Sequence, residues 1–131
     1  MPRSRLRPLG FTLIALGALG VLAACDTSLR PPGDAGVCYQ YVGVIQGKPK
    51  FNVLQPKAPN LETCAAALEA MRLRFLSLGG NRDTITGAYQ SKFLFVESEG
   101  IFTADSLNGA SYLALVRTND GRLAQPGAVR R

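Results

Sequence analysis

The first 24 residues limit how much of this chain can belong to a folded domain. Three arginines lie before Pro8, an apolar run extends from Leu9 to Ala24, and Cys25 follows it. A basic start, a short apolar core and small residues at a cleavage site are typical of a secretory signal peptide. The apolar run is shorter than the roughly 20 residues that a transmembrane helix needs. We therefore expect residues 1–24 to be removed, which leaves residues 25–131 as the mature chain.

The residues at the expected cleavage site form a more specific motif. Leu22-Ala23-Ala24-Cys25 is a leucine followed by two small residues and a cysteine, and it resembles the lipobox of bacterial lipoproteins. The resemblance implies cleavage before Cys25, diacylglycerol on its sulfur and usually an acyl chain on the new amino group. Two or three acyl chains hold a protein durably on a membrane, whereas one chain binds only marginally. An ordinary secretory signal, in which Cys25 is incidental, is the alternative.

The residue after Cys25 bears on which membrane would hold the protein. Asp26 occupies that position, and it is similar to the signal that keeps lipoproteins of enteric bacteria in the inner membrane. We expect a lipid-anchored protein of the cell envelope that faces the periplasm. The inner membrane is the first expectation, and the outer membrane is the alternative.

The remaining two cysteines are expected to form a disulfide. Lipidation of Cys25 leaves Cys38 and Cys64 as an even pair, and export places them in an oxidising compartment where disulfides persist. A Cys38–Cys64 bond would close a loop of about 27 residues and contribute roughly 3.5 kcal/mol in the chain-entropy model. A small domain buries only a little over half of its unfolded surface, so such a bond would supply much of its stability. A metal site and a redox pair are the weaker alternatives.

Composition and charge exclude several classes of function. The formal net charge is +6, but the three arginines of the leader account for half of it, and the mildly basic remainder is not typical of a nucleic-acid-binding protein. The chain contains no histidine, which excludes Ser–His–Asp and Cys–His catalysis and histidine-containing zinc sites. We expect no cofactor, no metal and no enzymatic activity.

The mature chain is expected to contain a single small domain. Residues 25–36 have two prolines and two glycines, which indicates a lipidated tether. Residues 37–124 are expected to form a small α+β domain, and residues 125–131 a flexible tail.

Apolar periodicity predicts the elements of that domain. Asn60 is a favoured N-cap, and an apolar stripe at spacings of three and four predicts a helix after it, through Leu61, Cys64, Leu68, Met71, Phe75 and Leu78. Strand-like segments are Val37–Gln46, Phe51–Leu54, Ile85–Gln90, Lys92–Val96, Ile101–Thr103, Ser111–Thr118 and Arg122–Ala124. We predict an α+β fold, β-β-α-β-β-β, with an antiparallel sheet of about five strands and one helix packed on one face.

Two groups of side chains are candidates for binding. Lys48, Lys50 and Lys57 lie around the first predicted hairpin, where they would contact anionic headgroups or a polyanionic wall polymer, or protect an edge strand from aggregation. Tyr39 and Tyr41 share one face of the first strand, and alternation places Cys38, Val42 and Val44 on the other. Exposed tyrosines would stack on a sugar or a partner protein, but packing inside the domain is the usual role of such residues.

Three functions remain open at this point. The first is a non-enzymatic lipoprotein with an accessory or binding role toward an envelope protein. The second is a wall-polymer binder, because CYQYVGV followed by an Ala/Leu-rich helix is similar to the strand and helix of SPOR peptidoglycan-binding domains, although the strand at Phe51–Leu54 and the lack of a second predicted helix depart from them. The third is a small histidine-free enzyme that would use carboxylates such as Glu97 and Glu99, with Lys92.

Overall fold

The computed structural model describes residues 29–127, in which seven strands form one antiparallel sheet and one helix lies against it. The elements are β1 Cys38–Ile45, β2 Lys48–Gln55, α1 Leu61–Ser77, β3 Ile85–Tyr89, β4 Lys92–Val96, β5 Ile101–Ala104, β6 Ser111–Arg117 and β7 Leu123–Ala124. The strands lie in the order β2-β1-β3-β4-β5-β6-β7. The predicted signal peptide, Cys25 and the last residues of the predicted tail lie outside the described part of the chain.

The predicted α+β class, with one helix on an antiparallel sheet, is confirmed, but the predicted number of strands is wrong. The sheet has seven strands rather than about five, and five of them follow the helix. Each of the seven strands overlaps one of the strand-like segments of the sequence, so the error lies in how many of the shorter segments join the sheet.

The first hairpin is longer than predicted. Gln46 and Gly47 form its turn with φ angles of 53° and 76°, and β2 therefore begins at Lys48 rather than at Phe51. Pro49 lies inside β2 because β2 is at the edge of the sheet, where a residue without an N–H group interrupts no ladder hydrogen bond on the open side.

Helix α1 begins as predicted but buries a different set of side chains. The Asn60 side chain accepts a hydrogen bond from the Thr63 backbone N–H at 2.8 Å, which caps the first turn. Burial ends at Arg72, so Phe75 and Leu78 are 40% and 79% exposed although they belong to the predicted apolar stripe. The buried residues of the helix are Cys64, Ala65, Leu68, Glu69 and Arg72.

The core lies between α1 and one face of the sheet. Leu68 packs so closely over β3 that a Cβ atom on Gly87 would lie 2.4 Å from Leu68 Cδ1, so only glycine fits there. A disulfide joins Cys38 on β1 to Cys64 on α1, with 5.3 Å between their Cα atoms and both residues fully buried. The cysteine pair predicted from the sequence is thus present and joins the helix covalently to the sheet. Within residues 29–127, no helix has the length and apolar character needed to cross a bilayer.

Candidate functional site

The sheet face opposite α1 is also apolar. Side chains alternate between the faces of a strand, and Gly87 lies under α1, so Ala88 on β3 belongs to the opposite face. Residues that pair directly across two strands lie on the same face. Ala88 pairs with Tyr39 on β1 and with Phe93 on β4, so both belong to this face. The same rule extends the face to the cross-strand partners of Tyr39 and Phe93. We call this surface the aromatic face and define it by Tyr39, Tyr41, Phe51, Val53, Phe93, Phe95, Phe102 and Leu113.

Five rings of the aromatic face contact one another in a continuous row across strands β2, β1 and β4. The Tyr41 and Phe51 ring centroids lie 5.1 Å apart, and Tyr39 meets Phe51 edge-on at 6.1 Å. Phe93 is fully buried at the centre of the row and lies 6.0 Å from Tyr41 and 6.4 Å from Phe95. These distances are typical of favourable aromatic pairs, so the rings hold one another in place.

The composition of the aromatic face is unusual for a sheet face that no helix or strand of residues 29–127 covers. An antiparallel sheet with one covered face normally carries polar side chains on the other. Here the outward positions that pair across the strands carry aromatic, aliphatic or small uncharged residues, and none of them is charged. No helix of residues 29–127 lies on this face, because α1 occupies the opposite one. Interface centres have the same composition, rich in tyrosine and phenylalanine and depleted of charge.

One margin of the aromatic face is held by a polar contact. The Tyr39 hydroxyl donates a hydrogen bond to the Asp34 carboxylate, which lies in the segment before β1. This hydrogen bond, with smaller effects of burial and of the carboxylate charge, raises the pKa of the Tyr39 phenol above its ordinary value. Tyr39 is therefore neutral and oriented at physiological pH, with its ring on the row and its hydroxyl engaged.

The structure separates the three candidate lysines. Lys48 is at the start of β2, and Lys50 lies two residues further along the same strand. Lys57 lies two residues beyond the other end of β2, and the strand alone spans about 23 Å at the usual rise per residue. Lys48 and Lys50 thus belong to the hairpin tip, whereas Lys57 lies in the loop that leads into α1.

Sequence reasoning missed a buried ionic cluster beside α1. Glu69 and Arg72 are only 8% and 6% exposed, and the Glu69 carboxylate forms ion pairs with both Arg72, at 2.8 Å, and Arg117 of β6. Arg72 also pairs with Asp83 at 2.7 Å, and Arg117 donates to the Ser98 carbonyl oxygen at 2.8 Å. An apolar periodic pattern predicts that the charged residues of a helix face solvent. Glu69 pairs with Arg117, which is distant in the sequence, so the pattern could not predict that Glu69 and Arg72 are buried.

The charged groups of this cluster are held in place by their ion pairs with one another. Burial opposes the charge on Arg72, but hydrogen bonds to Asp83 and Glu69 outweigh it and raise the pKa of the guanidinium above its ordinary value. Each carboxylate oxygen of Glu69 accepts a hydrogen bond from an arginine, Oε1 from Arg72 and Oε2 from Arg117. The cluster ties α1, β6 and the loop before β3 together.

A groove lies between α1 and the turn that precedes β7. Its volume is about 600 Å³, and its floor includes Ala66, Ala70, Leu73 and Leu123. It is open and shallow, and the residues that line it do not place a nucleophile next to a base. We assign it no chemistry.

The residues considered for catalysis do not form a site. Lys92 and Glu97 flank opposite ends of β4, and Lys92 pairs instead with Asp105. Glu97 and Gly100 exchange backbone hydrogen bonds across a tight turn that holds Glu99. Among residues 29–127, no three His, Cys, Asp or Glu side chains lie close enough together to hold a metal ion.

Comparison with known proteins places the chain in no family. No family model matches it, and no significant match was found among curated proteins or solved structures.

Proposed function

We propose that this protein is a lipid-anchored lipoprotein of the cell envelope that binds a partner protein, without catalysis, through the aromatic face. The sequence around Cys25 supports the anchor, because the lipobox-like motif lies at the end of a leader that has the features of a signal peptide. The observation that carries the binding role is the row of aromatic rings on a sheet face that no described helix covers.

The physical argument concerns exposed apolar area. Six of the eight residues of the aromatic face are aromatic, and several of the eight remain partly accessible, with Val53 and Leu113 at 58% and 44% exposure. Contiguous apolar surface on a monomer is unfavourable in water, and it usually marks a site of interaction. Rigid tyrosine and phenylalanine rings lose little conformational freedom on binding, which favours them at the centre of protein interfaces. The lack of charge on the face matches an apolar partner surface better than a polyanionic polymer.

The anchor is tested by the mass of the first peptide of the protein purified from membranes. We expect a peptide that begins at Cys25 and carries diacylglycerol, because the motif directs lipidation to that sulfur. A Cys25→Ser variant should lack the lipid and leave the membrane fraction. An unmodified Cys25 in the mature protein would contradict the anchor without affecting the aromatic face.

The binding role is tested by crosslinking from defined positions in living cells. A photoreactive phenylalanine analogue at Phe95 should crosslink to one envelope protein, whereas the same analogue at Tyr112 should not. Tyr112 is a matched control because it is on β6, is 70% exposed and pairs with Thr103 on the helix side of the sheet. Equal crosslinking from both positions, or recovery of wall fragments alone, would contradict the proposal.

Affinity for the crosslinked partner gives the second readout. Phe95→Ser should weaken binding of the purified partner by about 30-fold, as expected when an aromatic residue at an interface centre is truncated. Tyr112→Ser should leave the affinity within about twofold. The melting temperature of each variant shows whether the fold is retained. A Phe95→Ser variant that folds and binds normally would exclude the aromatic face as the interface.

A further inference from the structure

The first hairpin extends beyond the rest of the sheet. Strands β1 and β2 pair along their length, as far as Ile45 and Lys48. By contrast, β3 pairs only with residues 38–40 of β1. A cleft of about 320 Å³ separates Val42 from the start of β3. Residues 41–51 therefore form a two-stranded projection, which we call the hairpin arm.

The end of the hairpin arm carries exposed β-branched side chains. Val42, Val44 and Ile45 are 41%, 63% and 47% exposed. A bulge between Tyr41 and Gly43 shifts the alternation of β1, so Val42 and Val44 do not follow Cys38 into the core. Three apolar side chains at the end of a projection cost solvation free energy in water and contribute nothing to the core.

The charge of the hairpin arm is entirely positive. Lys48 pairs across the strands with Ile45, and Lys50 pairs with Gly43, so both cations flank the apolar end. Neither lysine forms an ion pair with another residue of the described range 29–127. Residues 35–61 contain no aspartate or glutamate. Protection of an edge strand accounts for the lysines and Pro49, but it does not account for the exposed valines and isoleucine.

We propose that the end of the hairpin arm is a second membrane contact that binds anionic phospholipid. Val44 and Ile45 enter the boundary between headgroups and acyl chains, and Lys48 and Lys50 pair with lipid phosphates. Apolar side chains next to lysines are the combination that binds a membrane interface, because lysine keeps its charge in the headgroup layer while its stem lies along apolar surface. The inference rests on the proposed membrane anchor, which holds the domain near a bilayer.

A single tryptophan reports directly on this contact, because the natural chain contains none. The full chain with Val44→Trp is purified from membranes and reconstituted into vesicles of phosphatidylcholine, alone or mixed equally with phosphatidylglycerol. In the anionic vesicles we expect a blue-shifted emission that brominated lipid quenches. Lys48→Gln with Lys50→Gln should lower the ratio of docked to undocked protein about 25-fold, or about fivefold for each lysine.

Tyr112→Trp is the matched control, since it is also an exposed strand position but lies four strands away from β1 in the sheet. Its emission should stay that of tryptophan in water in both kinds of vesicle. Ile45→Trp repeats the measurement if Val44→Trp does not fold. Water-like emission from both arm positions, quenching equal to that of the control, or a response to soluble wall fragments but not to vesicles would overturn the inference. The mass of the first peptide reports the anchor separately, so the two proposals fail independently.

Discussion

Glu69→Gln is expected to lower the free energy of unfolding by about 3–5 kcal/mol, the usual cost of removing one partner from a buried ion pair. The substitution keeps the size of the side chain but leaves Arg72 and Arg117 close together without the carboxylate that both contact. Arg72 retains Asp83, which places the effect toward the lower end of that range. Urea unfolding measures the change, and a fall in melting temperature of about 4–8 °C for each kcal/mol should accompany it.

Glu99→Gln is the control for this effect. Glu99 is exposed on the turn between β4 and β5, and neutralising an exposed carboxylate usually changes stability by less than about 0.5 kcal/mol. If both variants unfold at the same urea concentration, the contact between Glu69 and the two arginines does not stabilise the fold in solution.

Loss of the disulfide is the second large effect. Cys64→Ser should reduce stability by about 2–5 kcal/mol, because the unfolded chain is no longer closed between β1 and α1. The serine hydroxyl also enters a fully buried position, which adds to the loss. Thermal unfolding under oxidising conditions measures the difference between the variant and the natural chain.

Chemical reduction provides the control for the disulfide. Adding a thiol reductant should destabilise the natural chain by a similar amount and leave Cys64→Ser unchanged. Titration of the unfolded, oxidised protein should find no free thiol at Cys38 or Cys64. Two free thiols, or a natural chain that is insensitive to the reductant, would show that the bond does not form in solution.

Local sequence signals predicted the parts of the fold that depend on neighbouring residues. The Asn60 cap and the apolar period of α1 lie within a few residues of what they determine. The cysteine pair followed from the expected compartment and from simple counting. These features need no knowledge of which strands become neighbours.

The missed features depend on contacts between distant segments. Glu69 is buried only because Arg117, 48 residues away, reaches its carboxylate. The bulge after Tyr41 changes which face Val44 occupies, and alternation alone cannot locate such an inserted residue. Tyr39 and Tyr41 were candidates from the sequence, but their association with Phe51, Phe93 and Phe95 is set by the strand order.

If the hairpin arm contacts the membrane as proposed, it sets the height above the bilayer at which a partner meets the aromatic face. Strand β1 spans about 25 Å at the usual rise of a strand, and it carries Tyr39 and Tyr41 at the base of the arm. With the end of the hairpin arm on the lipid, strands β1 and β2 would lie along the membrane normal. The aromatic face would then be perpendicular to the membrane plane and open to the side. The protein and a membrane-bound partner would then meet by lateral diffusion, close to the bilayer surface. The search for a membrane-bound partner would then be two-dimensional, and a modest affinity in solution would suffice for stable pairing at the membrane.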